Sequence, residues 1–195
     1  MRRRLTMAPS PAVRRREAGS SLIEALVSVL LLSFGVLSLS LMMSFAVQMP
    51  KLSAYRATAM NLASSHVERI RSNPAGFSKS GYDLPSSYDG SRVAIATTSS
   101  DLCNYPSCDA NTLATMDFAQ ARTSVREQLP AGGIFMLRDS SSGVASATEG
   151  NLWILWQEPD TRAAINPASA DNCPADVAHA YPDPKPRCLY VRFRI

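Results

Sequence analysis

Apolar positions divide this chain into stretches of different period. Over residues 22–47 nearly every position is apolar or small, and Glu24, near the start, is the single charge. As an α-helix these 26 residues would be roughly 39 Å long, enough to cross a bilayer with some tilt. Beyond them the apolar residues thin to one stripe: Leu52, Tyr55, Ala59, Leu62, Ala63, Val67 and Ile70 recur at spacings of three and four. That is the pattern of an amphipathic helix. Pro50 removes one backbone donor and is expected to bend it near the membrane surface, and Asn73-Pro74 ends it. The pattern predicts one helix of about 50 residues, apolar all round in its first half and one-faced in its second.

The remainder mixes both periods. Residues 75–111 are rich in glycine, proline and serine and predict loops, with a weakly alternating strand at 92–98. Asn111 is placed to cap a second helix running to Leu129, with Phe118, Ala121, Val125 and Leu129 on one face. Leu129-Pro130-Ala131-Gly132-Gly133 breaks it, and the glycines allow a tight turn into a strand at 134–137. The run at 152–157 predicts a strand apolar on both faces, with Leu152, Ile154 and Trp156 on one and Trp153 and Leu155 on the other. A last strand, 188–195, alternates Leu189, Val191, Phe193 and Ile195 against Tyr190, Arg192 and Arg194.

Composition changes this picture at one point. The net charge of +4 invites a nucleic-acid partner. Six arginines and one glutamate in residues 1–19 supply +5 of it, which leaves −1 for everything after. The excess belongs to the two triplets Arg2-Arg3-Arg4 and Arg14-Arg15-Arg16. No nucleic-acid partner is expected. Arginines before a long apolar run keep that flank cytoplasmic and put the following domain outside. Met7 would serve as an alternative start and still leave Arg14 to Arg16 in place. A cleaved secretory signal is the nearest rival, but its apolar region spans only about 7–15 residues and ends at a small-x-small site. Here the small residue, Gly19, precedes the run. A plain anchor leaves Glu24 unexplained, since a carboxylate in lipid is costly and a functional candidate by default.

Gly19, then Ser20-Ser21-Leu22-Ile23-Glu24 and the long apolar stretch, resemble the class III signal of type IV pilins and type II secretion pseudopilins. The resemblance implies cleavage by a prepilin peptidase between Gly19 and Ser20, N-methylation of Ser20, and pairing of Glu24 with a neighbouring subunit's N-terminal amine during assembly. Ser20 stands where the family usually has phenylalanine. The LPAGG turn, Trp156-Gln157-Glu158 and a late cysteine-bearing strand are similar to the PilV-type minor pilins, the type IV pilus modification group. Asp117-Phe118 stands where many of that group carry a tryptophan. The implied organisation is a cytoplasmic leader (1–19), a transmembrane and assembly helix (20–47), its amphipathic continuation (48–74) and a periplasmic head (75–195). The implied fold is α+β and pilin-like: the long N-terminal helix packed on a four-stranded antiparallel sheet.

Four cysteines lie beyond the apolar run, in the compartment where bacterial disulfides persist. Three pairings are possible. Proximity favours Cys103 with Cys108 and Cys173 with Cys188, which would contribute about 2 and about 3 kcal/mol by loop entropy. A zinc site is the rival, and Cys-x4-Cys followed far off by Cys-x14-Cys is poor spacing for one. There is no HExxH, G-x-S-x-G or P-loop. His66 is expected on the solvated side of the long helix and His179 in an exposed proline-rich loop, with Asp171, Asp176 and Asp183 as solvated carboxylates around it. No catalytic residue, metal or cofactor is assigned; the chain is read as the substrate of an enzyme. The expected role is a minor pilin that waits in the inner membrane and enters the pilus fibre, priming assembly near the tip. Its partners would be other minor pilins, the major pilin, the prepilin peptidase and the assembly platform. A minor pseudopilin of type II secretion and a ligand-binding, adhesin-type pilin are the alternatives.

Overall fold

The apolar run and the amphipathic stripe form one element, α1 (Leu22–Ser72), which continues through Pro50. The computed structural model describes residues 21–98, 102–104, 106–140, 143–158 and 171–195, apart from the side chains at 45, 48 and 49. By internal contact the chain divides into one unit ending at Val47 and another from Gln48 to Ile195. In the first, Leu22–Ser44 is the one helix among the described residues long and apolar enough to span a membrane. Its described side chains are exposed. Its serines turn their hydroxyls back onto the helix: Ser28 donates to the Glu24 carbonyl at 2.7 Å, Ser38 to Gly35 at 2.9 Å and Ser40 to Val36 at 2.9 Å. Donors satisfied in this way are what a lipid environment requires.

In the second unit the stripe is buried along one face of α1. Ala59, Ala63, Val67 and Ile70 are closed off from solvent, with Tyr55 and Leu62 packed against them. Each large apolar side chain so buried contributes about 1.5–3 kcal/mol. Asn73 then takes the side-chain cap of a single helical turn, α2 (Pro74–Ser78), accepting from Gly76 N–H at 3.2 Å. That turn lies where only loop was expected.

The second long helix is α3 (Ala110–Gln128). Its cap is Asp109 rather than Asn111: the Asp109 carboxylate accepts from the Thr112 N–H at 2.7 Å, and these bonds to Thr112 hold its pKa below the usual carboxylate range. β1 (Gly133–Arg138), β2 (Glu149–Trp156) and β3 (Arg187–Arg194) follow, with a short α4 (Ala175–Ala180) before the last. They make one antiparallel sheet in the order β1-β2-β3. Among the described residues it has three strands, not the expected four. Residues 92–98 join no ladder, Val93 is 74% exposed, and the segment is tethered by side chains instead. Arg126 of α3 donates to the Val93 carbonyl at 3.2 Å and the Ser87 carbonyl at 3.2 Å, and pairs with Asp89 at 2.8 Å.

One sheet face, with Ile134, Met136, Leu152, Ile154, Trp156 and Phe193, forms the main core with α1 and α3. The opposite face carries a smaller core of Tyr88, Ala131, Leu155, Val177 and Cys188. Period-two alternation sends Leu155 and Trp156 to different cores, which is why this strand is apolar on both faces. The turn before β1 departs from the expected role of its glycines. Ala131, not a glycine, takes the left-handed conformation, with φ 50°. The glycines admit neighbours: a Cβ on Gly132 would lie 2.1 Å from the Val125 carbonyl oxygen, and one on Gly133 would lie 2.6 Å from Tyr88 Cα.

Candidate functional site

Gly19 and Ser20, the expected cleavage and methylation positions, lie outside the described residues. Glu24 is described, exposed in the first turn of α1. The Ser21 carbonyl accepts from the Glu24 N–H at 2.9 Å and from Ala25 at 3.1 Å, starting the helix there. A carboxylate in the first turn meets the positive end of the helix dipole. Leu22, Ile23 and Leu26 around it are more than half exposed, so this end presents one acidic group within an apolar surface.

A second group of polar residues is buried where α1 meets α3. Asp117, 5% exposed, accepts from the Tyr82 hydroxyl at 2.7 Å and lies 3.5 Å from Arg69 Nη1. Asn73 donates to Tyr82 at 3.3 Å and to the Ala110 carbonyl at 2.7 Å. Arg69 also donates to Gln120. Burial, and then the bond to Asp117, push the Tyr82 hydroxyl pKa well above its ordinary value. His66 is buried too, at 2% exposure, contrary to the solvated position expected from the sequence. Neither ring nitrogen has a hydrogen-bond partner, and the ring meets Tyr82 edge-on at 6.0 Å. Burial first, and the Arg69 charge second, lower its pKa to about 4. It lines a small cleft of about 40 Å³ with Ser65, Arg69, Gln120 and Ser124.

The third group closes the far end of β3. Arg187, 3% exposed, pairs with Asp171 at 2.8 Å and lies 3.7 Å from Glu158. Glu158 accepts from the Trp156 indole at 3.2 Å, which accounts physically for a tryptophan and a glutamate two apart. Asp171 also accepts from the Cys188 N–H at 3.1 Å. Its carboxylate is therefore not the solvated group expected. Asp176, Asp183 and His179 are exposed, His179 in the last turn of α4 rather than in a loop. The cysteines are bonded Cys103 to Cys108 and Cys173 to Cys188, with Cα atoms 5.1 and 5.3 Å apart. Among the described residues no group of three or more His, Cys, Asp or Glu side chains is placed to hold a metal.

No family model, curated protein or solved structure matches this chain.

The bonds among these polar groups tie α1 to α3 through Arg69, Tyr82 and Asp117, and the segment at Asp171 to β3 through Arg187. His66 is within reach of the sequence, because it falls on the stripe between Leu62, Ala63 and Ile70, although the charged neighbours Glu68 and Arg69 point to a solvated side. Asp117 and Tyr82 lie 35 residues apart and carry no local signal of their pairing.

Proposed function

We propose that this chain is a minor pilin of a type IV pilus: processed by a prepilin peptidase between Gly19 and Ser20, held in the inner membrane by the first half of α1, and assembled through Glu24 into the fibre. The observation that carries this reading is α1 itself. One uninterrupted helix begins beside a single carboxylate, exposes an apolar surface over Leu22–Ser44, and then buries Ala59, Ala63, Val67 and Ile70 against an antiparallel sheet. A simple anchor has no need of helical continuity into the folded domain, and a cleaved signal would leave that helix behind. A subunit that stacks helix against helix in a fibre needs both. The two disulfides suit an exported head, and the pilin-like fold with its place near the tip belongs to the same proposal.

Cleavage decides it. With a prepilin peptidase present, intact-mass measurement of the membrane fraction should find a chain beginning at Ser20 with a methylated amine, and Gly19→Val should leave the chain uncut. A mature chain beginning elsewhere, or normal processing of the variant, overturns the proposal.

A further inference from the structure

We propose that the free edge of β3 accepts an extended acidic segment of another protein subunit as a further strand. The Ile195 N–H donates to the Thr148 carbonyl at 2.9 Å, which sets the parity of the ladder. Residues 189, 191 and 193 then bond to β2, while 188, 190, 192 and 194 turn their backbone groups away from it. The two ends of that outer edge are closed by side chains. Asp171 accepts from the Cys188 N–H at 3.1 Å, and Arg71 donates to the Arg194 carbonyl at 3.3 Å. Between them the N–H and C=O groups of Tyr190 and Arg192 have no partner among the described residues.

The opposite edge is treated differently. Along β1 the chain covers itself: Ser87 N–H donates to the Ile134 carbonyl at 3.0 Å, the Ile134 N–H to Ser87 Oγ at 2.9 Å, and the Arg138 N–H to Asp83 at 2.9 Å. Met136, at the centre of β1, is fully buried, whereas Tyr190 and Arg192, at the centre of β3, are exposed; an edge open to solvent at its centre is a place for a strand to add.

The occupant follows from what lines this edge. A groove of about 380 Å³ runs between β3 residues 191–194 and Ser64, Val67, Glu68 and Arg71 of α1. Its charged side chains are three arginines and one glutamate. Glu68 is already held by Arg71 at 2.6 Å, and Arg192 is drawn over the sheet to Glu149 at 2.9 Å and to Asp139. The exposed Arg194 guanidinium has no partner among the described residues. A second copy of the same edge would set Arg192 and Arg194 against like charges, which destabilises strand pairing. An incoming strand with carboxylates outward and small apolar side chains inward satisfies both the edge and the groove. This site is separate from Glu24 and Gly19, so a failure of the processing experiment leaves it standing.

The test uses the full chain, isotope-labelled in detergent micelles, with two synthetic peptides: Glu-Val-Glu-Val-Glu and Lys-Val-Lys-Val-Lys. Amide exchange at Tyr190 and Arg192 is read by NMR. Without peptide both amides should exchange freely; the glutamate peptide should slow them about tenfold or more, and the lysine peptide should not. Arg192→Pro removes an outward N–H without touching the ladder to β2 and should weaken glutamate-peptide binding about tenfold. Arg194→Glu, at an exposed side chain, should weaken the same peptide and favour the lysine one, and serves should the proline variant fail to fold. Slow exchange without peptide would mean that the edge is covered by the chain or by a second copy. That result, no binding of the glutamate peptide, or equal response to both peptides overturns the proposal.

Discussion

His66 and Asp117 both meet Tyr82, and their burial has opposite chemical consequences. Asp117 has the Tyr82 hydroxyl as a donor and Arg69 as a counter-charge; His66 has neither, so it stays neutral. A histidine whose pKa falls to about 4 in the fold, against about 6.5 unfolded, takes up its proton in the unfolded chain first. Stability is therefore full above about pH 6.5 and declines as pH falls towards 4, by up to about 3 kcal/mol. Thermal unfolding of the full chain in detergent, at pH 7 and pH 4.5, should show a loss in the wild type that is much smaller in His66→Met. Equal acid sensitivity in the two would place the titrating group elsewhere.

At the scale of elements, α1 combines an exposed apolar stretch with a face buried in the core of its own domain. Glu24→Ala makes the first turn more apolar, so simple anchoring predicts unchanged or improved insertion. On the proposed assembly role the variant should insert and be cleaved normally yet fail to enter fibres. A neighbour's amine left without its carboxylate in lipid costs about 3–5 kcal/mol, roughly 150- to 5,000-fold in association. Comparing sheared surface pili with processed membrane-bound protein measures this directly. Normal piliation with the variant incorporated would remove Glu24 from assembly. The strands were less legible than the helices for a physical reason. Residues 92–98 alternate in apolarity like a strand, but alternation is not a partner, and Arg126 supplies their tether from α3.

For the molecule as a whole, the two disulfides differ in what they hold. Cys103 and Cys108 close a short segment with Cys108 exposed. Cys173 and Cys188 join the stretch before α4 to the buried start of β3, beside the Asp171–Arg187 pair. Replacing Cys173 and Cys188 together by serine should cost about 3 kcal/mol and lower the melting temperature by about 10 °C. Replacing Cys103 and Cys108 should cost less, about 2 kcal/mol. Calorimetry of both double variants separates them; a larger loss from the Cys103–Cys108 pair would contradict the structural weighting.

What the sequence alone determined was set by local period and local chemistry. The reach of α1, its one-faced continuation, the strand whose faces feed two cores, and the nearest-neighbour cysteine pairs all depend on residues close in the chain. Only tertiary structure decided the rest, because those choices depend on partners far away in sequence. His66 is buried since α3 lies over it, Asp171 is paired since Arg187 arrives from β3, and Gly132 is required since the Val125 carbonyl passes close by. The count of strands belongs here too. A segment becomes a strand only when an edge is present to pair with it, and the remaining open edge, at Tyr190 and Arg192, becomes visible only once the ladder's parity is known.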